Sequence, residues 1–249
     1  MSGKLQKNSV EFSVKGDYAL FSDVLTRAGG EKCSYMIPTY EALKGILQSV
    51  YFKPTIVWYI DSVRVMNRIQ TVRKGMRPIS YGGGNDLAYY TYLADVYYQV
   101  RAHFDWNYNR PELEADRNLN KHSCIARRMI ERGGRRDCFL GARECQCLVE
   151  PCIFGEGEGF YDNSGEIAYN LMYHGVTYAD EAEDPEDKGK MTVRFWNPVM
   201  KDGVIDFAMP KDCSIKRHIK EMPIKPFGQE HNNFTGLDEF RGGEFDELD

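Results

Sequence analysis

An α+β fold follows from three features of this chain. Its first 150 residues alternate segments of two-residue and 3.6-residue apolar periodicity, and the remainder carries strand-like segments only. In addition, 42% of the 249 residues are apolar, ample for a core. The length fits one large domain or two small ones. No run approaches about 20 uninterrupted apolar residues, and the polar stretch from Met1 to Lys7 lacks the apolar segment of a secretory leader. A soluble, cytoplasmic protein without a membrane segment is expected. Seven cysteines with no Cys-x-x-Cys pair, beside five histidines, predict reduced thiols, no zinc site and no cofactor.

The elements follow in order. Val10 to Val14 alternates with period two and stops at Gly16, which marks a first strand. Thr39 is a plausible N-cap for a helix whose Leu43, Ile46, Leu47 and Val50 fall on one face. Lys53-Pro54 ends the run, with Tyr51 at its last turn. Thr55 to Met66, rich in β-branched and aromatic residues, predicts a long strand. A turn-rich segment with Gly75, Pro78 and Gly82-Gly83-Gly84-Asn85 follows, long enough to close over a ligand. Tyr89 to Phe104 reads as one strand or a strand pair, mixing core aromatics with possible base-stacking ones.

A second helix is predicted from about Asn118 to Arg132, capped by Asp116 or Asn118 and ended by Gly133, with Ile125, Met129 and Ile130 as its buried stripe. Ala142 to Val149 is the last strand of this half, with Cys145 and Cys147 at alternating positions. Strand, helix, strand, strand, helix, strand is the ferredoxin-like order, here assigned to residues 1–150. Residues 151–220 predict a smaller antiparallel β domain, with strands at Leu171–Tyr178, Met191–Trp196 and Gly203–Phe207.

Charge is distributed unevenly along the chain. From Glu230 to Asp249 there are seven acids and one arginine, so the formal net charge of −5 becomes about +1 without them. This composition predicts a disordered acidic tail over 221–249. A second acidic run, Asp180 to Asp187, predicts a solvated hairpin loop or insertion. Against these stands a basic stretch, in which Lys121 to Arg143 holds seven Lys or Arg and two acids. Lys121 and His122 fall in a helix first turn, where anions are favoured. Gly133-Gly134-Arg135-Arg136 adds a turn whose amides can approach an anion, and guanidinium forks suited to phosphate. A polyanionic partner is expected, with Arg127, Arg128, Arg135, Arg136 and Arg143 as contacts. Local salt bridges from these arginines to Glu131 and Asp137 are the alternative.

Several segments together carry a family resemblance. They are Gly16-Asp17-Tyr18-Ala19-Leu20-Phe21, Pro38 to Ile46, Tyr51-Phe52-Lys53-Pro54, Asn120-Lys121-His122 and Gly133 to Cys145. From about Val10 to Ile219 the chain resembles the CRISPR-associated Cas-five family of type I-C (Dvulg) systems. The resemblance implies a ferredoxin-like (RRM-like, RAMP-type) RNA-binding domain and an endoribonuclease that cuts precursor CRISPR RNA within the repeat. It implies a catalytic set of Tyr51, Lys121 and His122. The implied partners are precursor and mature CRISPR RNA, Cas-seven-like backbone subunits and a Cas-eight-like large subunit.

The chemistry stands on its own terms as well. RNA carries its own nucleophile, the 2′-hydroxyl, so cleavage needs a base, an acid for the leaving 5′ oxygen and positive charge, but no metal. His122 suits proton transfer near neutral pH, Lys121 suits charge developing on phosphate, and Tyr51 can donate or accept. A non-catalytic subunit holding the 5′ handle of the guide RNA is the competing reading. Metal-dependent DNA cleavage would need clustered carboxylates, which the sequence does not offer outside the acidic loop.

Overall fold

The computed structural model describes residues 7–27, 30–78, 82 and 87–224. Twelve strands and three α-helices are found among them: β1 (Ser9–Ala19), α1 (Val24–Arg27), α2 (Tyr40–Val50), β2 (Ile56–Val65), β3 (Thr71–Met76), β4 (Ala88–Trp106), α3 (Leu119–Glu131), β5 (Cys138–Phe139), β6 (Gln146–Pro151), β7 (Glu166–Ala168), β8 (Met172–Thr177), β9 (Lys190–Trp196), β10 (Val199–Lys201), β11 (Val204–Asp206) and β12 (Ile215–Glu221). The architecture is mixed α/β, with antiparallel pairing between all the named strands.

One nine-stranded sheet runs β5-β6-β1-β4-β2-β11-β10-β7, with β3 also on β4. Its centre is built from the most apolar runs. β2 has nine of its ten residues buried, and β1 and β4 flank the core with Phe12, Val14, Tyr98, Val100 and Phe104. The first half of β2, Ile56 to Ile60, is a continuous apolar run of the kind a strand covered on both faces requires. α2 packs on β2 and β8, α3 packs on β1 and β6, and the two helices touch. Leu43, Ile46, Leu47 and Val50 are the buried face of α2, as their spacing predicts, and Thr39 caps it by accepting from Ala42 N at 3.2 Å. β8, β9 and β12 form a second sheet.

Several local expectations are corrected. β1 continues through Gly16 to Ala19, because Gly16 pairs with Val96 in the ladder and leaves room for Leu140, which a Cβ there would meet at 2.7 Å. Gly75 lies within strand β3, not in a turn. Residues 83–86 of the expected ligand-closing segment lie outside the described residues. Tyr89 to Phe104 is part of a single 19-residue strand that absorbs Asp95 at φ 49°. The last strand of the first half begins at Gln146, later than Ala142. Gly141 takes φ 87°, where a Cβ would clash with the Leu20 carbonyl, and Cys145 N donates to Ala142 O at 2.9 Å. Cys145 is therefore in a turn and only Cys147 is in the strand.

The acidic run is the largest correction, because it docks instead of standing in solvent. Ala179, Ala182 and Asp187 are buried. Lys44 pairs with Glu181, the Tyr59 hydroxyl donates to Glu183, Arg110 pairs with Asp180 at 3.1 Å and Lys216 with Asp184 at 3.1 Å. Thr192 donates to Asp187 at 2.8 Å, and Asn109 Nδ2 donates to the Ala182 carbonyl at 2.8 Å. Asp180, Glu181, Glu183, Asp184 and Asp187 each meet a donor from another element, while Glu186 stays exposed. The expected tail begins at Glu221, which ends β12, and residues 225–249 lie outside the described residues.

Candidate active site and nucleic-acid interface

Asn118 sets the geometry of the site. It is extended, at φ −116° and ψ 107°, and its side chain accepts from Lys121 N at 3.1 Å, which starts α3 one turn before the two residues of interest. Helical spacing then separates them. His122 shares the inward stripe with Ala126 and Ile130 and is 0% exposed, whereas the Lys121 side chain is 46% exposed. The expected stripe of Ile125, Met129 and Ile130 is shifted, since Ile125 and Met129 are its half-buried flanks.

The Tyr51 side chain reaches the same point from the end of α2. Its N–H donates to Leu47 O at 2.7 Å and its carbonyl accepts from Trp58 Nε1 at 2.8 Å, so its backbone is fixed on both sides. Its hydroxyl lies 2.8 Å from His122 Nδ1. His122 Nε2 lies 2.8 Å from the Asp116 carbonyl oxygen. A carbonyl can only accept, so Nε2 carries a proton, and in the neutral imidazole Nδ1 accepts from Tyr51. Phe104 and Trp106 meet the ring edge-on, at 6.2 and 5.6 Å between centroids.

Charge is supplied next to this pair. Lys121 Nζ is paired with Asp116 Oδ1, and Thr55 Oγ1 donates to Asp116 Oδ2 at 2.7 Å. The hydrogen bonds from Lys121 and then from Thr55 hold the Asp116 carboxyl below the usual carboxylate range. Burial, followed by the Asp116 charge, pushes the Tyr51 phenol up to about 12, so it is protonated at neutral pH and acts there as a donor. Tyr51, Lys121 and His122 are thus brought together. Asp116 and Thr55 belong to the same cluster. Their sequence signal is only positional: Asp116 reads as a candidate cap, and Thr55 as the start of a strand.

The arginines are placed otherwise. Arg127, Arg128, Arg135, Arg136 and Arg143 are all exposed, and none pairs with Glu131 or Asp137 or makes another ion pair among the described residues. Gly133, at φ 78°, and Gly134, at φ 109°, end α3 in a Schellman motif. Gly134 N donates to Met129 O at 2.8 Å and Gly133 N to Ile130 O at 2.9 Å. Their amides are therefore engaged by the helix, contrary to the expectation that they would face an anion. The glycines instead turn the chain so that Arg136 N can donate to Ser49 O at 3.2 Å, which ties the loop to α2.

Four cation–tyrosine pairs escaped the sequence reading, and they are split between the two faces of the sheet, since Arg73 and Lys74 are consecutive in β3. Cations from β1, β3 and the segment before α2 lie over tyrosines of β1 and β4: Lys74 over Tyr18 at 3.2 Å, Arg73 over Tyr89 at 4.5 Å, Lys15 over Tyr97 at 4.7 Å and Lys32 over Tyr90 at 5.1 Å. Tyr92 and Tyr98 are core, while Tyr89 is exposed and Tyr90 and Tyr97 are half-buried. Among the described residues no three of His, Cys, Asp or Glu gather as metal ligands, and no helix is long and apolar enough to cross a membrane.

The chain belongs to the family described as "CRISPR-associated protein (Cas_Cas5)", whose model matches residues 9–208. Within that family it falls with the type I-C members. It is 24% identical over 236 residues to a protein named CRISPR pre-crRNA endoribonuclease Cas5d of Mannheimia succiniciproducens, covering 80% of this chain and 94% of that one. Among solved structures, a CRISPR-associated protein superposes with a TM-score of 0.71 at 34% identity, covering 86% of this chain and all of the other. A functionally uncharacterized protein from Streptococcus mutans superposes with a TM-score of 0.69 at 36% identity, covering 84% and 96%.

Proposed function

We propose that the chain is a metal-independent endoribonuclease that processes precursor CRISPR RNA within its repeat and retains the product's 5′ handle in a type I-C surveillance complex. The observation that carries this reading is the hydrogen-bonded pair of Tyr51 Oη and His122 Nδ1, formed across two helix ends with the Lys121 ammonium on the solvent side. The name of the Mannheimia relative supports the same reading. The sheet order β6-β1-β4-β2 supports the ferredoxin-like assignment for 1–150, because each crossover helix returns the chain beside a central strand. We assign 151–220 to sheet extension and assembly. The partners in this reading are Cas-seven-like and Cas-eight-like subunits, in the cytoplasm.

In the reaction, the 2′-hydroxyl loses its proton to the Tyr51–His122 pair, the 2′ oxygen bonds to phosphorus, and the bond from phosphorus to the 5′ oxygen breaks. The leaving 5′ oxygen takes a proton from the imidazolium that this leaves on His122, giving a 2′,3′-cyclic phosphate and a 5′-hydroxyl with no net proton consumed. Lys121 offsets charge on the phosphate oxygens, an interaction strongest where water is excluded. Arg127, Arg128, Arg135, Arg136 and Arg143 hold backbone phosphates, the Gly133-Gly134 turn places Arg135 and Arg136 beside α2, and the exposed Tyr89 offers stacking for an unpaired base.

Repeat RNA incubated in excess chelator is expected to be cut by the wild type. His122→Ala is expected to lose about 10² to 10⁴ in kcat while still binding RNA. A variant that cuts unchanged would remove His122 from the set. Because His122 is packed between aromatic rings, His122→Asn serves as a companion that leaves a smaller void. The complete burial of His122 favours a second reading, a guide-RNA handle-binding subunit that does not cut, and a wild type that binds repeat RNA without cleaving it would establish that one.

A further inference from the structure

His122 is 0% exposed, packed by Tyr51, Phe104 and Trp106 and covered at Nε2 by the Asp116 carbonyl. The 3₁₀ turn Pro111–Asp116 has no buried residue, and its N-cap, Arg110, makes no capping hydrogen bond through its side chain. Its last residue is attached at three points. The Asp116 carbonyl accepts from His122 Nε2 at 2.8 Å, its Oδ2 accepts from Thr55 at 2.7 Å, and its Oδ1 takes the Lys121 ammonium. Oδ2 is also 3.5 Å from His122 Nε2. An ammonium and a hydroxyl converging on one anion are the donors a phosphate oxygen uses, and an ammonium, being a compact point charge, exchanges one oxyanion for another without a geometric penalty.

We propose that Lys121 Nζ and Thr55 Oγ1 form a phosphate subsite that the Asp116 carboxylate fills in the free protein, and that an RNA phosphate displaces it. Displacement withdraws the Asp116 carbonyl from His122 and frees Nε2 for the substrate. The identity of the incoming phosphate rests on the reading of the chain as an RNA-cleaving protein; the exchange itself rests on the contacts alone. Two features agree with the exchange. The Lys121–Asp116 pair is partly solvated, with 46% and 28% of the side chains exposed, so it is weak enough to be opened. The neighbouring helix start also favours whichever anion replaces the carboxylate.

The test uses the full chain, with Asp116→Asn and Asp116→Ser as paired variants, Thr55→Val as the converse, and melting curves to confirm folding. The affinity for repeat RNA carrying 2′-deoxyribose, which cannot be cut, is expected to tighten about threefold to tenfold in both Asp116 variants and to weaken by a similar factor in Thr55→Val. Amide exchange over 112–117 is expected to speed up in the Asp116 variants, and in the wild type on adding inorganic phosphate. Equal or weaker RNA binding by both Asp116 variants, or exchange that phosphate leaves unchanged, would overturn the proposal. Failure of the wild type to cut natural RNA would instead count against the endoribonuclease reading, while the binding and exchange measurements still decide the role of Asp116.

Discussion

At the scale of single residues, two histidines show how environment assigns opposite tasks to one side chain. His122 has a hydroxyl donor on one nitrogen and a carbonyl on the other, with an ammonium and a carboxylate next to it. His174 is equally inaccessible but faces cations. It donates from Nε2 to the Ala208 carbonyl at 2.9 Å and accepts from Arg194 Nε at 3.3 Å. Burial first, and then the Arg194 charge, lower the His174 pKa to about 3. The unfolded chain protonates this residue near the usual value of roughly 6.5 while the folded one does not, so stability falls as pH drops through that window. The slope is about 1.4 kcal/mol per pH unit from this group. Urea melts from pH 7 to pH 4 are expected to show the wild type losing stability faster than His174→Gln. Parallel curves would contradict the assignment of His174 as neutral.

At the scale of elements, the docked acidic segment between β8 and β9 is the clearest case of sequence and structure parting. Glu181 is 17% exposed and holds Lys44, which is 5% exposed, on the buried face of α2. Glu181→Gln would leave a buried ammonium short of an anion and is expected to cost about 2 to 4 kcal/mol in urea unfolding, far more than a surface ion pair. A loss under about 0.5 kcal/mol would mean that the segment is only loosely attached. The helices themselves were legible. Their caps Thr39 and Asn118 and the left-handed Gly133 act within four residues of the helix end, and the amphipathic spacing of Leu43, Ile46, Leu47 and Val50 is a local pattern. The acidic segment was not legible, because Asp180 to Asp187 repel one another along the chain. Lys44, Tyr59, Arg110, Thr192 and Lys216, brought in from other elements, offset that repulsion.

At the scale of the whole molecule, the exposed arginines outside any ion pair set the expected behaviour toward RNA. Each phosphate held by one of them on a single strand is expected to contribute about 0.7 to the slope of log K against log salt. Arg135→Ala and Arg136→Ala together are expected to reduce that slope by about 1.4 and to weaken binding with little regard to base sequence. An unchanged slope would place the RNA on the face of β3 and β4 that carries Arg73 and Tyr89 instead. That surface could not be read from the chain, because alternating aromatics in a strand look alike until the sheet fixes which of Tyr89, Tyr90, Tyr92, Tyr97 and Tyr98 face the core.

The sequence by itself determined the α+β class, the two main helices with their caps, the central strands and the proximity of Tyr51 to Lys121-His122. Periodicity and capping are local rules, and the family motifs carried the one long-range pairing. The tertiary structure alone decided that His122 is sealed, that Asp116 and Thr55 belong to its site, that the Gly133 and Gly134 amides are engaged by the helix, and which sheet each later strand joins. The reason is separation along the chain. Tyr51 and His122 are 71 residues apart and Lys44 and Glu181 are 137 apart, and contacts of that span depend on how layers pack, which no window of neighbouring residues records.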